Sequence, residues 1–238
     1  MTIRTAWRWC AAVGIVAFTI SWLFGRIPGL VACGPAGGLG PIMAFELARS
    51  TGDIAAMFGG EPCTSTLVGA QKTGLLLDAL GFIPSYTGFL ILGALAAGAR
   101  GRIRTILTTM FVVAAISDEI EGFLLNAILD HLPGTPTLLY ALAWEVHVKF
   151  GLLALGTFGI GGLFARGRWF QRVVAAAIVL GSMIAMFGLL AAPGAWMMTG
   201  FTIAWVSLLL AALIASFWPS LFSPAPASPP PSQAAPIA

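Results

Sequence analysis

The chain has 238 residues, of which 58% are hydrophobic and 9% charged, with a formal net charge of +3. Soluble domains carry roughly 25% charged residues, so a folded surface of this composition cannot face water all round. A soluble enzyme, a disordered chain, a coiled coil and a nucleic-acid binder are excluded. The mean hydropathy of +0.94 points to a polytopic membrane protein, and the expected fold is an all-α bundle of transmembrane helices.

A spanning helix needs about 20 mainly apolar residues. Six stretches meet that need, at 7–25, 75–97, 105–128, 138–164, 173–191 and 198–218. The last two contain no charge, and the first contains only Arg8. The first stretch also has the positive start of a signal peptide, but its apolar run exceeds the usual h-region of about 7–15 residues. Leu30-Val31-Ala32-Cys33 approaches a lipobox. Cleavage and acylation at Cys33 therefore stand beside the uncleaved anchor as readings.

Orientation follows from Lys and Arg in the short loops. Arg4 and Arg8 lie just before and at the start of the first span, Arg100, Arg102 and Arg104 follow the second, and Arg166, Arg168 and Arg172 follow the fourth. The opposite segments carry only Arg26, Arg49 and Lys72, offset by Glu46, Asp53, Glu61 and Asp130. The pattern predicts six spans with both termini cytoplasmic, in a bacterial inner membrane. The uncharged Pro/Ala-rich stretch 219–238 cannot bury enough surface to fold and is read as a disordered cytoplasmic tail.

The outer segment 26–74 is long for a connection, and loops of that length usually carry function or disorder. Two short helices are expected in it, one near Ile42–Ala48 and one from Asp53 to Phe58, the second capped by Ser50 or Thr51. Cys33 and Cys63 both fall here. The outer side of a bacterial membrane is oxidising, so a disulfide between them is expected, with Cys10 left reduced in the first span.

A charge at the centre of a spanning helix costs at least ~2.5–3.5 kcal/mol. Seven ionisable groups nevertheless lie inside the expected spans: Asp78, Asp118, Glu119, Glu121, Glu145, His147 and Lys149. Counting depth at ~1.5 Å per residue sets Glu121 level with Glu145, and Asp118 level with Lys149 and Tyr86. At 100° per residue, Asp118 and Glu121 share one helix face, and Glu145 and Lys149 share another. Glu119 and His147 point elsewhere. Five carboxylates against one lysine cannot all be ionised in a low-dielectric site, so protons or a cation must balance them. Asp118, Glu121, Glu145, Lys149, Asp78, Tyr86, Glu119 and His147 are the candidate catalytic residues. Lys149 is expected within ~4 Å of Asp118, Glu121 or Glu145.

Other chemistries lack their residues. The chain has no Walker loop, no G-x-S-x-G and no H-E-x-x-H, and Glu145-Val146-His147 lacks the spacing that sets two ligands on one helix face. No metal and no cofactor are expected. The expected partners are the bilayer and a lipid-like small molecule, with no nucleic acid.

Three segments carry a resemblance: Ala44-Phe45-Glu46-Leu47-Ala48, then Leu77-Asp78 with Phe82 and Tyr86, then Asp118 to Asn126 followed by Lys149. Together they resemble a family of uncharacterised bacterial multi-helix membrane proteins. In that family an F-E-F/L-A stretch precedes an L-D-x-x-F/L span, an acidic span with E-N, and a helix with one lysine. Here Glu121 is followed by Gly122, and the Asn stands at 126. The resemblance covers roughly residues 40–155 and implies a shared site without an established activity. Sterol-isomerase-like and terpene-cyclase-like membrane enzymes also set carboxylates in helical bundles, an analogy of chemistry alone.

The residues favour an enzyme that uses acid/base catalysis on a lipid-like or small hydrophobic substrate. A proton-coupled carrier and a non-catalytic accessory protein are the alternatives. The absence of an internal repeat argues against the carrier. So does the confinement of the charges to one half of the membrane.

Overall fold

The computed structural model describes residues 2–222, and the part of the expected tail from 223 to 238 lies outside them. The described chain is all-α and 81% helical overall, with no strand. In chain order the helices are α1 (Ile3–Phe24), α2 (Pro41–Glu46), α3 (Thr51–Phe58), α4 (Cys63–Leu77), α5 (Ile83–Ala96), α6 (Gly101–Asp130), α7 (Pro136–Phe164), α8 (Trp169–Ala191) and α9 (Ala195–Phe217). Each expected span falls in a helix that begins a few residues earlier than predicted, most of all the second. There α4 and α5 make one rod, Cys63–Ala96, that takes up the last part of the expected outer loop. The first residues of the expected tail are ordered as well: Pro219–Phe222 form a short 3-10 turn. Phe222 packs on Trp7, with ring centroids 5.2 Å apart.

Five of these rods are long and apolar enough to cross a membrane: α1, the α4–α5 rod, α7, α8 and α9. The expected count was six. The difference is α6, which is 30 residues long but carries Arg102, Arg104, Asp118, Glu119, Glu121 and Asp130.

The long helices close into a ring. Moving round it, α5, α6, α7, α8 and α9 each pack on the next, and α1 fills the gap between α9 and α5. The ring is inside-out relative to a soluble bundle. Ile106, Ile116 and Phe123 of α6 face outward with Phe187, Leu190 and Phe217, while Asp118, Glu121 and Lys149 are buried. The α8–α9 contact is backbone to backbone. A Cβ on Gly200 would lie 2.3 Å from Ala185 N, so glycine permits the approach.

Residues 25–62 cap one mouth of the ring. Ser50 accepts from Asp53 N at 3.1 Å, and Asp53 Oδ2 accepts from Ser50 N at 2.9 Å, which satisfies free donors at the start of α3. A disulfide joins Cys33 to Cys63 with Cα atoms 5.9 Å apart and closes the segment that carries α2 and α3. Buried Gln71 of α4 donates to Pro41 O at 2.9 Å and holds the start of α2. At the rim Lys72 pairs with Asp130 at 2.6 Å, an exposed link between α4 and α6.

Between α4 and α5 lies one π-turn, Asp78–Phe82. Ile83 N donates to Asp78 O, five residues back. Pro84 follows and has no N–H to give, so the ladder is already interrupted at this point. Such bulges concentrate at functional sites, and this one sets Asp78 on the inner side of the ring.

Candidate functional site

Lys149 organises the interior. It is 3% exposed, and its Nζ lies 2.9 Å from Asp118 Oδ1, 2.8 Å from Glu121 Oε2 and 3.3 Å from Glu46 Oε2. Hydrogen bonds run to Asp118 and Glu46. Glu121 Oε2 makes no hydrogen bond and is held as an ion pair. Tyr86 OH donates to Asp118 Oδ2 at 2.8 Å, which uses that carboxylate's second oxygen. The ammonium also stands 4.5 Å from the Phe150 ring centroid.

These groups form one pole of a cavity of about 370 Å3 inside the capped end of the ring. Glu46, Asp78, Tyr86, Asp118 and Lys149 line the pole. The other walls are mainly apolar, from α1, α2, α4, α6, α7 and α9, with Phe18, Phe201 and Trp205 among them. The Tyr86 and Trp205 rings lie 5.6 Å apart, and those of Phe82 and Tyr86 5.3 Å apart. A mainly apolar hollow of this size with a few convergent polar groups is the usual form of a small-molecule site.

Asp78 differs from the other acids at the pole. The residue is half-buried, its carboxyl sits among protein atoms close to Asp118, Lys149 and Glu46, and it makes no hydrogen bond or ion pair among the described residues. Asp118 has both oxygens engaged, and Glu46 has one. The pole therefore pairs a locked Lys149–Asp118–Tyr86 array with one free carboxyl. Such an arrangement can hold its geometry and leave the free group able to exchange a proton.

The structure brings together five of the expected site residues, Asp118, Glu121, Lys149, Tyr86 and Asp78. It sets the other three apart. Glu145 was expected level with Glu121; instead Ser117 Oγ donates to the Glu145 carboxylate and to its backbone oxygen, the latter at 3.1 Å. The α6–α7 register is thus about one turn away from the one counted. Lys149 still reaches its acids because helical side chains lean toward the N-terminus of their own helix. Glu119 lines a separate hollow between α5 and α6 with Pro84 and Thr87. His147 is exposed and shares a hydrogen bond with Ala143 O on its own helix at 2.6 Å.

Glu46 was not among the expected site residues. In the sequence it counts as a loop acid and as part of the Phe45-Glu46-Leu47-Ala48 motif. The signal for its burial was its place in the otherwise apolar run Ile42 to Ala48. α2 rests on α6 and α7, which carries its last residue, Glu46, to the pole. No cluster of three or more metal-binding side chains occurs among the described residues.

The family resemblance over residues 40–155 rests on its motifs alone. No protein-family model, no curated protein and no solved structure matches the chain.

Proposed function

We propose that this protein is an integral membrane enzyme that performs acid/base chemistry on a lipid-like or small hydrophobic substrate. The observation that carries the reading is the unpaired Asp78 carboxyl in an apolar cavity beside the engaged Lys149–Asp118–Tyr86 array. Asp78 is the proton donor or acceptor. Lys149 and Tyr86 fix the charge and position of Asp118 behind it, and the aromatic walls hold the apolar body of the substrate. Four carboxyls against one ammonium leave the pole short of positive charge, so a proton shared among them is in place for transfer.

In this reading α6 is the sixth span. Its outward Ile106, Ile116 and Phe123 suit lipid, and its buried acids Asp118 and Glu121 point to the ring interior, where intramembrane charges belong. At ~1.5 Å per residue its length exceeds a hydrocarbon core of about 30 Å. The arginine-rich turns then face the cytoplasm, the cap faces outward, and the cavity lies in the outer leaflet of a bacterial inner membrane. A carrier is disfavoured because the buried charges gather at the capped end instead of forming a path through the ring.

The test is substrate discovery with the purified protein in lipid nanodiscs. A hydrophobic extract of bacterial cells is incubated with it and compared by mass spectrometry before and after. The wild type should deplete a species and form a product, and a folded Asp78→Asn variant should not. Turnover undiminished in that variant removes Asp78 from the mechanism. Accumulation of an unchanged compound inside vesicles under a pH gradient favours the carrier instead.

A further inference from the structure

We propose that the cavity takes a hydrophobic molecule bearing a protonated amine, with the ammonium at the Asp78 pole and the apolar body against the aromatic walls. This rests on the reading of the cavity as a substrate site and names the class of substrate.

Lys149 spends two of its three N–H donors on Asp118 and Glu46, and Glu121 Oε2 lies 2.8 Å from the same nitrogen, so carboxylates already enclose the buried ammonium. Tyr86 donates to Asp118, Gln71 to Pro41 O, Trp205 to Thr157 Oγ1 and Thr202 to Met198 O. Ser21 on α1 is the one lining side chain among the described residues with an unengaged hydroxyl. Free acceptors, by contrast, gather at the pole: both oxygens of Asp78 and one of Glu46. An anionic headgroup at the pole would meet carboxylates, with only the Ser21 hydroxyl and the second Gln71 N–H left in the lining to donate. A ligand that brings N–H donors and positive charge meets unfilled acceptors.

Charge points the same way. Glu46, Asp78, Asp118 and Glu121 surround a single ammonium. Arg49, whose charge is felt at Glu121, is exposed at the edge of the cap and does not line the cavity. A bound ammonium halves the number of carboxyls per positive charge at the pole. The walls then separate an organic cation from a metal ion. Ring faces attract an ammonium, and Tyr86, Phe82 and Trp205 stand together beside the pole. A bare metal ion would leave most of the roughly 370 Å3 unfilled.

The experiment uses the full chain in nanodiscs and three probes of one length: octylamine, octanol and octanoate. Binding is measured by calorimetry, with empty discs subtracted. Octylamine should bind at least about tenfold tighter than octanol, the scale of one charge-assisted hydrogen bond, and octanoate should bind more weakly still. Asp78→Asn should abolish the preference for the amine and leave octanol unchanged, while Asp78→Glu should retain it. Thermal unfolding of both variants, expected to match the wild type, shows that they are folded. Equal binding of octanol and octylamine, or tighter binding of octanoate, overturns the amine assignment and leaves the hydrophobic cavity site standing. Failure of all three probes to bind overturns both.

Discussion

Glu46 and Lys149 stand 103 residues apart in the chain and meet inside the ring, Oε2 to Nζ at 3.3 Å. Through this contact the cap reports to the core. α2 is a short helix outside the long rods, yet its last residue completes the set of three acids around the one buried lysine. Whatever moves the cap therefore moves a charge at the cavity.

Lys149→Met should be the most damaging single change at the pole. It leaves Glu46, Asp118 and Glu121 buried without their partner, and breaking a buried pair from one side costs about 3–5 kcal/mol. Thermal unfolding in detergent should show a large fall. Adding Glu121→Gln should recover part of it, since Glu121 is held by charge without a hydrogen bond. His147→Ala, on the exposed face of the same helix, should leave the transition in place.

Loss of the disulfide should free the cap. The bond spans a sequence separation of 30, and closing a loop of that length contributes about 3–4 kcal/mol on the chain-entropy model. In the Cys33→Ser/Cys63→Ser variant, limited proteolysis should cut within 34–62 while the long helices remain intact. Wild-type resistance in that segment would show that α2 and α3 are held by packing alone.

Acid should loosen α3. Backbone N–H groups of Arg49 and Ser50 donate to Asp53 at 3.0 and 2.9 Å and hold its carboxyl below the usual value. Because the folded value is the lower one, this stabilisation is present in full above the ordinary Asp value of about 3.9 and is lost as pH falls through the folded value. Hydrogen exchange in α3 should quicken across that window. Asp53→Ala, which costs about 1 kcal/mol of capping, should show the faster exchange already at neutral pH.

Much of the scaffold was legible because the membrane imposes simple rules on sequence. Length and hydropathy located the long helices, and Ser50 or Thr51 before Asp53 marked the start of α3 to within two residues. The intramembrane charges marked Lys149 with Asp118 and Glu121, and depth counting set Tyr86 beside Asp118. The α6–α7 register was harder to read. Counting from assumed helix ends accumulates an error of about one turn, enough to exchange Glu121 for Ser117 as the neighbour of Glu145. Glu46 was read as a loop acid because its burial depends on how a loop folds back over the ring, a long-range event at which the apolar run Ile42 to Ala48 only hints. The π-turn that orients Asp78 was equally hidden, although Pro84 marks its place.

In the proposed mechanism Asp78 is the reactive carboxyl of this cavity, free where its neighbours are engaged. A hydrophobic carbodiimide tests it directly, because the reagent partitions into apolar sites and forms a stable acylurea only with an accessible protonated carboxyl. After brief treatment in nanodiscs, peptide mapping by mass spectrometry should find the adduct on Asp78, with Asp118 and Glu121 unmodified. An adduct on Asp118 or Glu121 with Asp78 spared would contradict the account.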